Sequence, residues 1–478
     1  MKVKEFIEGV GKGEIDVVKN TDEILARTLE IDKEFNHLNV ISNDLAKELA
    51  NNLGKNSKGK VAGLPISVKD SIVVKDVEST GGSAILKGYI PLFDATAVRK
   101  LKEEGAIIIG KTAQDEFGHG SFSTNVNESQ GFRIPLNPFD KDRSCGGSSG
   151  GAAGFAQKAD FPHVALGEST GGSIVCPASF CGVFGLCPTY GRISRYGLID
   201  YGNSLDKIGP IGKSIYDVAL VLEVMAGYDK EDSTSLNVPV DNYTNYVGKD
   251  IKGMKVGVVR DYFKEGTDKV VIDKVNLAIE KIKKAGADVS EVSLPLVSKY
   301  ALPCYYMLAS SETSTNLAKF CGMRYGKHES LKGESYNDYF TRIRSKYISI
   351  ESRRRILIGT FTRMAGHRDA YYIKATKVRT LIIKEYKDLF KKYDVLINPT
   401  MPFVAPKFAE IEKLTQLQEF MSDIMICGPN LAGLPHLNVP VGVDDSDGNN
   451  MPIGMLVVAD HLNEGKLVQL GSLFDEDL

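Results

Sequence analysis

Residues 143–187 read RSCGGSSGGAAGFAQKADFPHVALGESTGGSIVCPASFCGVFGLC. Two glycine-serine clusters punctuate the stretch, Gly146-Gly147-Ser148-Ser149-Gly150-Gly151 and Thr170-Gly171-Gly172-Ser173. Between them, Ala152 to Ala156 reads as the first turns of a helix, and His163 to Leu166 as a short buried strand. Most Gly-Ser runs are flexible loops, but these lie between apolar segments. The second leads into Cys176 to Leu186, which reads as tightly packed backbone. Glycines of this kind let the backbone approach another group closely. Serine hydroxyls beside free backbone N–H groups are what acyl transfer requires: a nucleophile next to donors that can hold an oxyanion.

Working outward, strand and helix patterns alternate. Residues 1–55 have helical spacing, with Phe6, Ile7 and Val10 on one face, then Ile24, Leu25, Leu29 and Ile31, then Leu45 and Leu49. A polar turn over 54–59 follows, and Val61 to Ile72 has strand character. A helix is expected near 97–104, and Ala106 to Ile109 is a second strand. There GAIIIGKT, residues 105–112, matches the phosphate-loop pattern. Its variable positions are one alanine and three isoleucines, which favour a buried strand over a phosphate-wrapping turn. Further on, Tyr216 to Met225 and Val270 to Ala285 read as helices, and 300–389 is dominated by helical spacing. Strands are expected at 255–260, 394–399, 436–441 and 453–458. The alternation predicts an α/β fold, a mixed central sheet covered by helices on both faces. One large domain is expected over 1–478: an N-terminal helical segment (1–55), a catalytic core (60–230) and a helix-rich substrate-specificity region (300–390).

The composition is that of a soluble globular enzyme, with 42% hydrophobic and 25% charged residues. A net charge of −2 argues against unaided binding of nucleic acid. The seven cysteines are scattered without a C-x-x-C pair, as expected for reduced residues of a cytoplasmic protein without a zinc site. No apolar run approaches the ~20 residues that span a bilayer, and residues 1–16 lack a secretory apolar core.

A nucleophilic serine needs a base. His119 and His163 are the histidines nearest the serine clusters, and His163, in a strand, suits a structural hydrogen bond. The other choice is a lysine. Lys69 sits in a strand among Ile66, Val68 and Ile72. Such a lysine is either paired and snorkelling or, if burial favours its neutral form, a base. Strand alternation puts Ser67, Lys69 and Ser71 on one face and Asp70 on the other.

Lys69, the GGSSGG cluster and the TGGS cluster together resemble the amidase signature family of Ser-cis-Ser-Lys hydrolases. The resemblance spans nearly the whole chain. It includes PISVKDS (65–71), DEFGHGS (115–121), the long run from Cys176 to Pro210, RRRILIGTF (353–361) and NLAGLPHLNVPVG (430–442). It is narrower still to the branch formed by A subunits of glutamyl-tRNA(Gln)/aspartyl-tRNA(Asn) amidotransferases. It implies Ser173 as nucleophile, Ser148 as a proton relay on a cis peptide, and Lys69 as general base and then acid. Backbone N–H groups of Thr170, Gly171, Gly172 and Ser173 would form the oxyanion hole. Arg355 would hold the substrate α-carboxylate, Asp423 its α-amino group, and Tyr306 would wall the pocket. The implied activity is hydrolysis of glutamine, with ammonia passed to a partner B subunit that amidates misacylated tRNA. A small C subunit would bridge the two. No cofactor is implied for this chain, and ATP and Mg²⁺ would belong to the B subunit. The alternative is a stand-alone amidase acting on other carboxamides. Two positions depart from the family pattern: Ser169 stands for an aspartate and Val175 for an arginine. An acid-base pair lost together leaves no lone buried charge.

Overall fold

Ile107, Ile108 and Ile109 are all buried in the strand Ile107–Thr112, and the sheet is built around strands of this kind. The computed structural model describes residues 1–54 and 59–475, so residues 55–58 of the expected polar turn lie outside the described residues. The strands are β1 (Leu38–Ile41), β2 (Pro65–Lys69), β3 (Ile107–Thr112), β4 (Val164–Ser169), β5 (Phe184–Cys187) and β6 (Lys207–Gly212), followed by β7 (Lys255–Val259), β8 (Asp288–Val292), β9 (Val395–Pro399), β10 (His436–Asp444) and β11 (Met451–Ala459). They form one 11-stranded sheet in the order β1-β3-β2-β4-β6-β5-β10-β11-β9-β7-β8. β2 runs parallel to β3 and β4, and β7 parallel to β8 and β9. The remaining pairs are antiparallel, so the sheet is mixed, as the alternation predicts.

Side-chain alternation divides the core between the two faces. Val164 and Leu166 join one apolar cluster while Ala165 joins the other. Val395 and Ile397 likewise part from Leu396, and Met455 and Val457 from Leu456. This is the period-2 geometry of strands buried on both sides.

The principal helices are α1 (Val3–Gly11), α2 (Val17–Phe35), α3 (Asn43–Leu53), α4 (Thr96–Glu103), α5 (Gly150–Lys158), α6 (Val175–Cys181), α7 (Ile215–Met225), α8 (Lys269–Lys284), α9 (Pro295–Asn316), α10 (Tyr336–Tyr347), α11 (Ile350–Arg363) and α12 (Lys374–Phe390). α2 starts where Asp16 accepts the backbone N–H groups of Val18 and Lys19, at 3.0 and 3.2 Å. It ends on Asn36, whose left-handed backbone stops the helix.

Several details differ from the sequence pattern. Leu29 is 45% exposed on the outer side of α2, because Ile24, Leu25 and Ile31 already fill the inner face. β1 interrupts the helical N-terminal segment, and β8 carries Asp288-Val-Ser-Glu-Val, too polar to read as a strand because it is a half-exposed sheet edge. The GAIIIGKT stretch contains strand β3, and Lys111 is fully buried, donating to Ser79 Oγ at 2.7 Å and facing Asp70.

His163 lies just before β4, and its Nε2 meets Ser67 Oγ at 3.0 Å. Burial drives its pKa down to about 3. A histidine buried neutral contributes stability above its unfolded pKa, and loses it as pH falls from about 6.5 towards the folded value. His163→Gln removes this titration. The stability difference between parent and variant should shift by about 2 kcal/mol between pH 7 and 5, in the direction that spares the variant in acid. Urea unfolding at several pH values measures it, and a pH-independent difference would refute it.

Candidate active site

β2 and β4 run side by side in register, Ile66 opposite Val164 and Val68 opposite Leu166. This brings the end of β2 against the end of β4. Lys69, fully buried, extends its amine to three acceptors: Ser148 Oγ at 2.7 Å, the Glu168 carbonyl at 2.9 Å and Glu168 Oε2 at 2.9 Å. Lys69 is therefore not surrounded by apolar groups alone, as its strand neighbours suggested. A carboxylate from the adjacent strand faces it. Asp70 points away, as the alternation predicts, and is held by Asn39, Thr80 and the Gly82 N–H.

The two serine clusters meet beside this amine. Ser148 and Ser149 immediately precede α5, and the Gly147–Ser148 peptide is cis. Ser149 N–H donates to the Ser173 carbonyl at 3.3 Å, and Ser149 Oγ to the Glu168 carbonyl at 3.1 Å. The first cluster is held from the other side by the 115–125 loop. Asp115 N–H donates to the Ser148 carbonyl at 3.3 Å. The Asp115 carboxylate accepts from the N–H groups of Ser123 and Asn125. Burial raises its pKa to about 6 in spite of those bonds.

Ser173, Gly171, Gly172 and Gly147 line a small cavity together with Arg355 and Asp423. Of the backbone donors expected around the oxyanion, Gly172 N–H is engaged by Ser169 Oγ at 3.1 Å. Among the described residues no protein acceptor meets the N–H of Gly171 or Ser173. Ser169 also donates to Asn430 Oδ1 at 3.3 Å, while Val175 is fully buried in apolar surroundings at the start of α6. The two departures thus replace a charged brace by a hydroxyl-amide contact and a packed side chain. Gly172 has φ +153°, and a Cβ there would collide with Ile426. Gly172→Ala should lower the unfolding free energy by about 3 kcal/mol or displace the loop. A thermal melt together with labelling of Ser173 detects either outcome, and an unchanged melt with unchanged labelling would contradict the packing.

Arg355 is buried on α11, not on the solvated face that the run Arg353-Arg354-Arg355 suggests. Its Nε donates to Glu351 at 2.8 Å and its Nη1 to Tyr201 Oη at 2.6 Å, and its guanidinium lies over the Tyr306 and Phe420 rings. One turn on, Gly359 meets the Ser310 carbonyl of α9 so closely that no side chain fits between. Asp423 accepts from Tyr306 Oη and Ser121 Oγ, both at 2.9 Å, and burial raises its pKa to about 6. Tyr306 stacks on Phe420 with ring centroids 3.9 Å apart. A wider cleft lined by Glu351, Arg354 and Glu419 shares Gly120, Ser121 and Arg355 with the small cavity and adjoins it. His119 is buried between Ser352 and Thr313, 2.9 Å from each, and burial holds its pKa well below the usual value. Both neighbouring histidines have structural partners and neither is bonded to a serine of the two clusters.

The sequence reading missed Glu168, Asp206, Ser121, Tyr201 and Tyr305. Only Glu168 gave a signal, as an acid at the end of an apolar strand. A hydroxyl on a glycine-rich turn, an amine-linked second hydroxyl, and a buried arginine and aspartate lining the same cavity suit attack on an amide carbonyl.

A family model described as Amidase matches residues 19–468. The chain belongs to the amidase family. The A subunit of the glutamyl-tRNA(Gln) amidotransferase of Halothermothrix orenii is 42% identical over 100% of this chain and 97% of its own length. Its counterpart from Rippkaea orientalis is also 42% identical, over 99% and 97%. The crystal structure of the A subunit of the Thermotoga maritima glutamyl-tRNA(Gln) amidotransferase superposes with a TM-score of 0.77 at 33% identity, covering 95% of this chain and 91% of that one. The chain is thus an enzyme of the amidohydrolase and amidotransferase kind, on the amidase fold. Among the described residues no helix is long and apolar enough to cross a membrane.

Proposed function

We propose that this amidase-family chain is the glutaminase subunit of a tRNA-dependent amidotransferase. The observation that carries the reading is the 2.7 Å contact of Lys69 with Ser148 beside a cavity that Ser173, Arg355 and Asp423 line together. Glutamine enters with its α-carboxylate on Arg355 and its α-amino group on Asp423, which is mostly ionised at neutral pH. Its side-chain amide then lies towards Ser173. Ser148 takes the Ser173 proton and passes it to Lys69 as the serine oxygen attacks the amide carbon. The oxyanion is held by the N–H groups of Thr170, Gly171 and Ser173, with Gly172, whose N–H is engaged by Ser169, shaping the loop. Lys69 returns the proton, through Ser148, to the departing ammonia. Water then hydrolyses the γ-glutamyl ester.

The similarity to named A subunits supports a partner for the ammonia. In this reading a B subunit, with a small C subunit, binds ATP, Mg²⁺ and the misacylated tRNA, and this chain, at net charge −2, does not hold tRNA alone. Co-purification with a candidate B subunit tests it: glutamine should support amidation of Glu-tRNA(Gln) or Asp-tRNA(Asn), and Ser173→Ala should abolish glutamine but not free ammonia as donor. Loss with both donors, or with neither, would reject the reading. A stand-alone amidase on other carboxamides is the second reading, and the Arg355 substitution discussed below separates the two.

A further inference from the structure

Thr170 Oγ1 lies 2.9 Å from Glu168 Oε1 and 2.8 Å from Asp206 Oδ1, with all three residues buried. A threonine hydroxyl has one hydrogen, so it donates fully to one carboxyl only. Sharing that hydrogen between both would leave two ionised carboxylates facing each other in a dry interior, so the arrangement that satisfies both contacts has a protonated carboxyl donating at the second.

The remaining partners decide which one. Glu168 Oε2 faces the Lys69 amine at 2.9 Å. Asp206 has no cation within ion-pair distance among the described residues. It is met by the backbone N–H groups of Tyr201 and Gly202, both of which reach Oδ2 at 2.9 Å, and the Gly202 N–H is shared with Oδ1 at 3.0 Å. Oδ2 keeps its own bonds when Oδ1 is protonated, so Asp206 loses little as an acid. Glu168 would lose an ion pair inside the protein, where it is worth most. Burial and the neighbouring Glu168 both push the Asp206 pKa well above the usual carboxylate range. The Lys69 amine has three acceptors, the number an ammonium satisfies.

We propose that Glu168 is the ionised counter-ion that holds Lys69 as an ammonium in the resting enzyme, with Asp206 the protonated member of the carboxyl pair across Thr170. This deepens the glutaminase reading and rests on it for the role of Lys69. Glu168 acts through Lys69, as a positioning residue. The lysine must shed a proton before it can serve as base, and Glu168 opposes that loss. Other charged or titratable groups facing the cluster are Asp115, whose carboxylate feels Lys69, Cys187 and Lys207 beside β4, and Arg195 on the far side of Asp206.

The sign follows. A carboxylate beside an amine favours the ammonium, so its removal lets the proton leave at lower pH. In Glu168→Gln the acidic limb of kcat/KM for glutamine should move down by about 1–3 pH units. In Asp206→Asn the amide donates to Thr170 as the acid does, so the limb midpoint should stay where it is, whatever happens to the maximal rate. A second readout needs no activity. Infrared difference spectra at pH 8, in which other buried acids such as Glu116 cancel and Asp115 and Asp423 (both about 6) are largely ionised, should show loss of a carboxylic-acid carbonyl band in parent minus Asp206→Asn and loss of a carboxylate band in parent minus Glu168→Gln. An unmoved or alkaline-shifted limb in Glu168→Gln, an acid carbonyl band lost with Glu168 instead of Asp206, or no such band, would each overturn the proposal. A parent enzyme inert towards every carboxamide would strike the glutaminase reading, while the infrared assignment would still decide the counter-ion.

Discussion

Ser173→Ala is expected to lower glutamine hydrolysis by at least about 10⁴-fold, with KM little changed, because it removes the atom that forms the ester. Lys69→Ala should fall to a similar floor. In the proposed mechanism Lys69 and Ser173 move one proton through Ser148, whose Oγ is 2.7 Å from the Lys69 amine, and so act as a unit. Losses within a unit do not add. The double variant should therefore be no slower than about threefold below the worse single one. Pre-steady-state quenching would show a covalent γ-glutamyl adduct in the parent and none in Ser173→Ala. If Ser173→Ala retained even a hundredth of the parent rate, the nucleophile would lie elsewhere.

Arg355→Ala is expected to lower kcat/KM for glutamine by about 30- to 4,000-fold. Removing one member of a buried, hydrogen-bonded charge pair costs about 2–5 kcal/mol, and each 1.4 kcal/mol is tenfold. A small neutral amide such as propionamide makes no demand on the guanidinium, so its turnover should change less than about tenfold. Glu351, already shared with Arg354, keeps one partner in the variant, which limits the damage to folding. Steady-state assays with both substrates decide the matter. Equal loss on both would mean that Arg355 only supports the fold. No loss on either would remove glutamine as the substrate this cavity is shaped for.

The sheet was legible where a buried strand is also an unbroken apolar run. Ile107 to Ile109 and Met455 to Val458 are such cases. β5 and β6 are buried along their length but were not expected as strands, because Gly185, Lys207, Gly209 and Pro210 break the pattern. β8 was not legible, since an edge strand tolerates Asp288 and Glu291. The glycine clusters pointed to the turn chemistry because Gly172 accepts a backbone and a closeness that no other residue could. Lys69 stood out as a charge in a strand. Its partner Glu168 left only the trace of an acid at the end of an apolar strand, because the pairing itself depends on the β2–β4 register, which no local pattern encodes. Arg355 and Asp423 were found by resemblance alone. In isolation the first belongs to an ordinary basic run, and only the packing of α11 turns it inward. The Thr170-centred contact with Asp206 joins positions 36 residues apart and left no trace in either stretch.

The contact of Gly359 with the Ser310 carbonyl reaches further than its position suggests. With nothing but hydrogen at that crossing, α11 rides as low on α9 as two backbones permit, and this height sets how deep the guanidinium projects. On the proposed function, a helix separation thus meters the reach of the substrate anchor, at a residue outside the cavity lining. A lineage needing longer or uncharged amides has a dial here: a bulkier residue at the crossing would raise the helix and withdraw the anchor, with the serine machinery untouched.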